Sequence, residues 1–310
     1  MSARWTEADM PDQTGRTIVI TGANSGIGFE AARALAEHGG TIVLACRNRA
    51  KADAAVAAIH GTAPDANLEV LELDLADLDS VAMAAEKFLA NHDRLDLLIN
   101  NAGLMALPHQ TTVQGFEMQF GVNHLAHFAL TGRLIERLTA TPGSRVVSIS
   151  SNGHKLGSIH FDDLQSEQKY GPWRAYFQSK LANLLFTYEL QRKLGAAKAG
   201  TIAVAAHPGG SNTNLGNENP GGVLNTIAMK SRPLIEMMMQ PAPMGALPTL
   251  RAAVDPGVMG GQYYGPDRFM EQRGHPILVK STKRSHDEGV ARRLWSISEE
   301  LTGVTYTALA

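Results

Sequence analysis

The stretch from Thr17 to Gly28 reads Thr-Ile-Val-Ile-Thr-Gly-Ala-Asn-Ser-Gly-Ile-Gly. A β-branched apolar run leads into three glycines, Gly22, Gly26 and Gly28, and an amphipathic segment, Phe29 to His38, is then closed by Gly39-Gly40. This pattern predicts a buried strand, a tight turn and a helix ended by glycine. Gly22 permits a backbone conformation that other residues resist, and Gly26 lets a ligand approach the main chain closely. Gly28 lets the helix sit against its strand. The helix start presents free N–H groups and the positive end of its dipole, which suit a pyrophosphate. Asn24, Ser25 and Ile27 share the turn with the glycines and belong to the same candidate cofactor site. A P-loop is excluded, because Ile27, Gly28 and Phe29 stand where Lys and then Ser or Thr would be needed. The Gly-x-x-x-Gly-x-Gly spacing is looser than Gly-x-Gly-x-x-Gly, so a dinucleotide fingerprint and a plain structural turn both fit this stretch alone.

Further apolar runs alternate with helical stretches. Thr41 to Arg47 is a second strand, followed by an alanine-rich helix from about Arg49 to Ile59. Leu68 to Asp74 is a third strand before a helix from about Leu78 to Ala90, and Leu95 to Asn101 a fourth, stopped by Ala102-Gly103. A helical region from about Gln114 to Leu138 precedes a fifth strand, Arg145 to Ser151. A helix over Trp173 to Leu194 precedes a sixth, Thr201 to Ala206, which ends at His207-Pro208-Gly209. Short strands alternating with helices imply right-handed βαβ units. The fold class is therefore α/β, a doubly wound parallel sheet of Rossmann type, with the ligand at the carboxyl ends of the strands. One domain over 1–310 is expected. Between Ser211 and Pro243 the register breaks, first with Asn, Gly and Pro and then with Met237-Met238-Met239. A segment this long is expected to be a substrate loop or lid at about 211–243, its methionines either ordinary core or substrate wall. A helix over Ala246 to Val254, an edge strand over Gly261 to Gly265 and a helix from about Ser285 to Leu301 complete the reading.

The 310 residues can bury a large core without disulfides or a structural metal. A net charge of −2 offers no basic field for nucleic acid and no polybasic patch for a membrane. The single cysteine, Cys46, cannot form an internal disulfide, which fits a reducing compartment. Residues 1–16 contain acids and no apolar core, and no apolar run is long enough to span a bilayer. The expectation is a cytoplasmic protein with no membrane anchor and no nucleic-acid partner; a homo-oligomer is allowed. His124 and His127 lie three apart on a helix with no further ligand evident, so no metal is expected.

Chemistry enters with Tyr176-Phe-Gln-Ser-Lys180. Residues four apart on a helix share a face. A free phenol is a poor base at neutral pH, and a nearby ammonium favours the phenolate. The pair would make Tyr176 a usable proton donor or acceptor, although the spacing alone equally fits a surface tyrosine and lysine.

In order, Thr21-Gly22-x-x-x-Gly26-x-Gly28, Asn100-Asn101-Ala102-Gly103, Asn123, Ser151, Tyr176-x-x-x-Lys180 and Pro208-Gly209 resemble the short-chain dehydrogenase/reductase family over most of the chain, Thr17 to about Thr213. The resemblance implies that Tyr176 is the acid/base, that Lys180 lowers its pKa and binds the nicotinamide ribose, and that Ser151 hydrogen-bonds the substrate oxygen. It implies that Asn123 holds a water for proton relay. Asp74, with Leu75, would meet the adenine, the backbone of Asn101, Ala102 and Gly103 would pack near it, and Pro208, Gly209 and Thr213 would contact the nicotinamide end. Ser151 lies 25 positions before Tyr176, about twice the separation in compact members. That spacing, with Ala45-Cys46-Arg47 and the Ser150-Ser151 pair, resembles the retinol-dehydrogenase-like branch and predicts an extra loop or excursion beside the pocket around Gly153 to Lys169. Ser150 and Ser151 both qualify as the serine, Ser151 by its place in the motif.

The second strand ends in Ala45-Cys46-Arg47-Asn48, with no acid for a ribose 2′-hydroxyl. Arg47, beside Asn48, can instead bind a 2′-phosphate, so NADP(H) is expected over NAD(H). The resulting expectation is an NADP(H)-dependent oxidoreductase acting on a largely apolar alcohol, aldehyde or ketone. A catalytically silent dinucleotide sensor would have no use for a tuned phenol. An epimerase or dehydratase would carry a differently spaced glycine turn and a larger carboxyl-terminal domain.

Overall fold

The computed structural model describes residues 4–210 and 240–309. Most of the predicted lid, with Thr213 and Met237 to Met239, lies outside the described residues.

One eight-stranded sheet organises the fold, in the order β3-β2-β1-β4-β5-β6-β7-β8. Its strands are β1 (Thr17–Thr21), β2 (Thr41–Cys46), β3 (Leu68–Glu72), β4 (Leu97–Asn100), β5 (Arg145–Ile149), β6 (Ile202–Ala206), β7 (Tyr263–Arg268) and β8 (Arg273–Leu278). All pairings are parallel except β7 with β8. β1, β4, β5 and β6 are almost wholly buried, the pattern of strands covered on both faces. On one face α1 (Gly26–Glu37), α2 (Arg49–His60) and a helix over Ala242–Val254 contribute to a shared core. On the other lie α3 (Leu78–Asn91), α4 (118–140) and α5 (Pro172–Ala196), with α7 (Glu288–Thr302) outside. The helix over Ala242–Val254 is α6. The strand order reverses between β1 and β4, which opens a crevice at their carboxyl ends.

Two expectations change. Gly261–Gly265 does not form the sheet edge: β7 is flanked by β8, which Gly274 and Pro276 disguise in the sequence. The helical region predicted from Gln114 begins at Met118 and is not uniform. Residues Gly121–Leu125 form a π turn between Met118–Phe120 and Ala126–Ala140. The insertion after Ser151 opens with a 3-10 helix, Asn152–Leu156. It packs on α5, where a Cβ at Gly157 would strike the Phe177 main chain.

Candidate active site

The glycine turn adopts the geometry its sequence implies. Gly22 and Gly26 have φ of 66° and 56°, the left-handed region that favours glycine. A Cβ on Gly28 would collide with Gly22 O and Asn101 Nδ2, so only glycine lets α1 start so close to β1 and β4. Asn101 is fixed against the turn by Nδ2 donating to Thr21 O at 2.8 Å, and its N–H and that of Ala102 both donate to Thr21 Oγ1 at 2.9 Å. The α1 N-terminus, with Ser25 making no side-chain cap, leaves N–H groups available for an anion. Gly103 has no side chain to obstruct Lys180 Nζ and Asn123 Oδ1, each 3.2 Å from where its Cβ would be. These features fit a dinucleotide along the carboxyl ends of β1 and β4.

Arg47 is exposed just after β2, and Asn48 caps α2 by accepting from Lys51 N at 2.9 Å. Asp74 follows β3, where its carboxylate accepts from Ala76 N at 2.9 Å, and Leu75 is buried beside it.

α5 starts with Pro172, whose fixed φ suits a first helical position. Tyr176 and Lys180 follow, 9 % and 5 % exposed. The Ser151 hydroxyl accepts from Gly153 N at 3.1 Å and lies close enough to the Tyr176 phenol to influence its titration. Ser150 is occupied elsewhere: its hydroxyl donates to Lys180 O at 2.8 Å, pinning α5 to the end of β5. Geometry therefore separates the two serines, with Ser151 alone facing the phenol. Lys180 Nζ donates to Ile149 O at 3.2 Å and stands 5.8 Å from the Tyr176 ring centroid.

The electrostatics differ from the simple pairing expected. Burial pushes the Tyr176 phenol above its ordinary range, and the nearby Ser151 hydroxyl only partly opposes it. Burial pushes Lys180 down to about 8. Desolvation of both groups outweighs their attraction across this distance.

Asn123 sits in the π turn. Its Oδ1 accepts from Leu104 N at 2.7 Å, while its Nδ2 donates to Leu104 O and Ser179 Oγ, both at 2.9 Å. Its side chain thus fixes the segment after Gly103. A π turn at such a position is a common mark of a functional site, and nothing in Gly-Val-Asn-His distinguishes it from ordinary helix. His124 is buried against Ser298, 2.9 Å away, and the described residues hold no group of three metal ligands.

Pro208-Gly209 turns at a φ of 66°, where a Cβ would meet Gln272 O. The β7–β8 hairpin therefore closes on the site. Asn152 Nδ2 donates to Glu271 O at 3.2 Å, Lys155 Nζ contacts Glu271 at 2.9 Å, and His207 Nε2 lies 3.3 Å from the same carboxylate. Sequence reasoning missed Glu271, which sits in a hairpin that apolar periodicity does not reveal. Trp173 is 53 % exposed, its ring centroid 6.1 Å from that of Tyr176 and 5.8 Å from that of Phe177.

A family model described as short chain dehydrogenase matches residues 16–221. Human retinol dehydrogenase 13 is 40 % identical over 295 residues, covering 94 % of this chain and 85 % of that protein. Retinol dehydrogenase 14 of Mus musculus is 41 % identical over 306 residues, covering 94 % and 86 %. A crystal structure of an uncharacterized protein from Mycobacterium Paratuberculosis is 42 % identical and superimposes with a TM-score of 0.81 over 98 % of this chain and 99 % of that one. A short chain dehydrogenase from Shigella flexneri, complexed with NADP, shares the fold at 22 % identity, with a TM-score of 0.62 over 82 % and 98 %.

Proposed function

We propose a function from one premise: the chain belongs to the short-chain dehydrogenase family, in its retinol-dehydrogenase-like branch. Members are oxidoreductases that act on CH–OH groups with a nicotinamide dinucleotide. Within that class, our reading is an NADP(H)-dependent interconversion of a bulky, largely apolar alcohol and its aldehyde or ketone. The observation that carries it is the convergence of Ser151, Tyr176 and Lys180 at the carboxyl end of β5, beside the glycine turn.

A nicotinamide dinucleotide, when bound, supplies or takes up the hydride. Gly22, Asn24, Ser25, Gly26, Ile27 and Gly28 would receive its pyrophosphate, and Asp74, Leu75 and Asn101 to Gly103 its adenosine half. Lys180 would hold the nicotinamide ribose, with Pro208, Gly209 and Thr213 at the nicotinamide end. Arg47, beside Asn48, would bind the 2′-phosphate. Ser151 donates a hydrogen bond to the substrate oxygen, and Tyr176 gives or takes the proton there. Asn123 would hold the water that returns the proton. The apolar substrate is supported by the exposed Trp173 beside Tyr176, and by the retinol in the relatives' names.

Cofactor absorbance followed over a panel of alcohols, aldehydes and ketones tests this reading. Tyr176→Phe should keep NADP(H) affinity while turnover falls by about 10²–10⁴-fold. Lys180→Ala should damage both. A Tyr176→Phe enzyme that keeps more than about a tenth of the rate would discard the mechanism.

A further inference from the structure

His127, one helical turn after Asn123, is 3 % exposed and takes no part in the chemistry above. Its Nε2 stands 2.9 Å from Thr21 Oγ1 at the carboxyl end of β1, and its Nδ1 stands 3.1 Å from Asn123 O. Thr21 decides which nitrogen carries the proton. Its oxygen already accepts from Asn101 N and Ala102 N. The hydroxyl hydrogen must then be donated, and Ile99 O at 3.5 Å is a poor target beside Nε2. Nε2 is therefore the acceptor, and the proton sits on Nδ1, which donates to Asn123 O. A neutral ring agrees with the burial that pushes its pKa down to about 4. The result is one directed chain of hydrogen bonds, from the Asn101 and Ala102 main chain through Thr21 and His127 to the carbonyl of Asn123.

We propose that His127 is a positioning residue that sets the dinucleotide-binding turn and the proton-relay asparagine as a single unit. Its acceptor nitrogen orients Thr21, and through Thr21 the Asn101-Ala102 backbone beside the glycine turn. Its donor nitrogen holds the Asn123 carbonyl within the π turn, whose side chain grips Leu104. The asparagine half rests on the oxidoreductase reading, whereas the cofactor half is read by binding alone.

The competing account is a buried, satisfied histidine that contributes only stability. Two substitutions separate the accounts, because each keeps one end of the ring. His127→Asn places an amide N–H near the position of Nδ1 and leaves Thr21 without its acceptor. His127→Gln carries its carbonyl to the position of Nε2 and leaves Asn123 O unpaired. The readouts are the NADPH dissociation constant, kcat at saturating cofactor and the thermal midpoint. His127→Asn should hold kcat within about threefold and weaken NADPH by about tenfold, the order expected for one unpaired buried group. His127→Gln should hold NADPH affinity and lower kcat by about tenfold. His127→Leu should lose both. Affinity and kcat falling in step in both amide variants, in proportion to the thermal midpoint, would overturn the proposal, as would no change in any variant. If the wild type turns over nothing on the panel, the oxidoreductase reading fails. NADPH affinity in the Asn and Gln variants then still decides the cofactor half.

Discussion

Arg47 stands exposed at the end of β2, where no carboxylate precedes it in the turn. A guanidinium there can take a 2′-phosphate through two parallel hydrogen bonds, and an aspartate would repel it. Direct titration should find NADP(H) bound at least about tenfold tighter than NAD(H), or about 1.4 kcal/mol. Arg47→Asp should reverse the order, and equal or tighter binding of NADH by the wild type would dismiss the assignment. Gly22 and Gly28 were legible in the sequence for steric reasons, a left-handed φ at Gly22 and contact with Gly22 O and Asn101 at Gly28, whereas the left-handed φ of Gly26 was not the reason its sequence position suggested. The Tyr176–Lys180 pair was legible through helical spacing. Its electrostatics were not, because desolvation depends on what packs around the pair. The choice between Ser150 and Ser151 likewise needed the third dimension, since only the position of Lys180 O reveals what Ser150 does.

Among the elements, the β7–β8 hairpin carries unusual strain. Phe269, Met270 and Glu271 have φ of 51°, 54° and 64°, a run of left-handed residues without a glycine. Such conformations persist only where surrounding contacts over-determine them. Glu271 supplies those contacts through Lys155 and His207. Glu271→Ala should lower the urea unfolding free energy by about 1–3 kcal/mol, the cost of removing a partner from charged hydrogen bonds. Lys155→Ala should cost less, because that side chain is more exposed than the carboxylate. Equal losses in the two variants would mean that His207 contributes nothing to the anchor. The βα alternation was readable from apolar runs, as was α5 from its long buried face. β8 and the π turn were not: β8 lacks alternation because Gly274 and Pro276 interrupt it, and a π turn differs from α-helix only in which carbonyl each N–H finds.

Over the molecule as a whole, several histidines are buried uncharged. Burial pushes His124 down to about 3, and His127 and His154 down to about 4. In the unfolded chain these rings titrate near their ordinary value, about 6.5. Between about pH 6.5 and 4 the unfolded chain therefore binds more protons, and stability falls as pH falls. Each titrating ring contributes up to about 1.4 kcal/mol per pH unit. Glu271, held down to about 2 by the His207 ring 3.3 Å away and by Lys155, extends the loss below pH 4.5. Urea unfolding at pH 7 and pH 5 should differ by more than one ring's share, and a flat profile would mean the rings are charged or wet in the folded state. No helix among the described residues is long and apolar enough to cross a membrane. The tryptophans are distributed unevenly: Trp5 and Trp295 are buried, whereas Trp173 is half exposed beside the Tyr176 ring. The molecule therefore carries its own optical reporter. Intrinsic emission from Trp173 will change when a ligand shields it from water, and a reduced nicotinamide nearby can accept its excitation, so occupancy of the pocket is visible in the unlabelled protein.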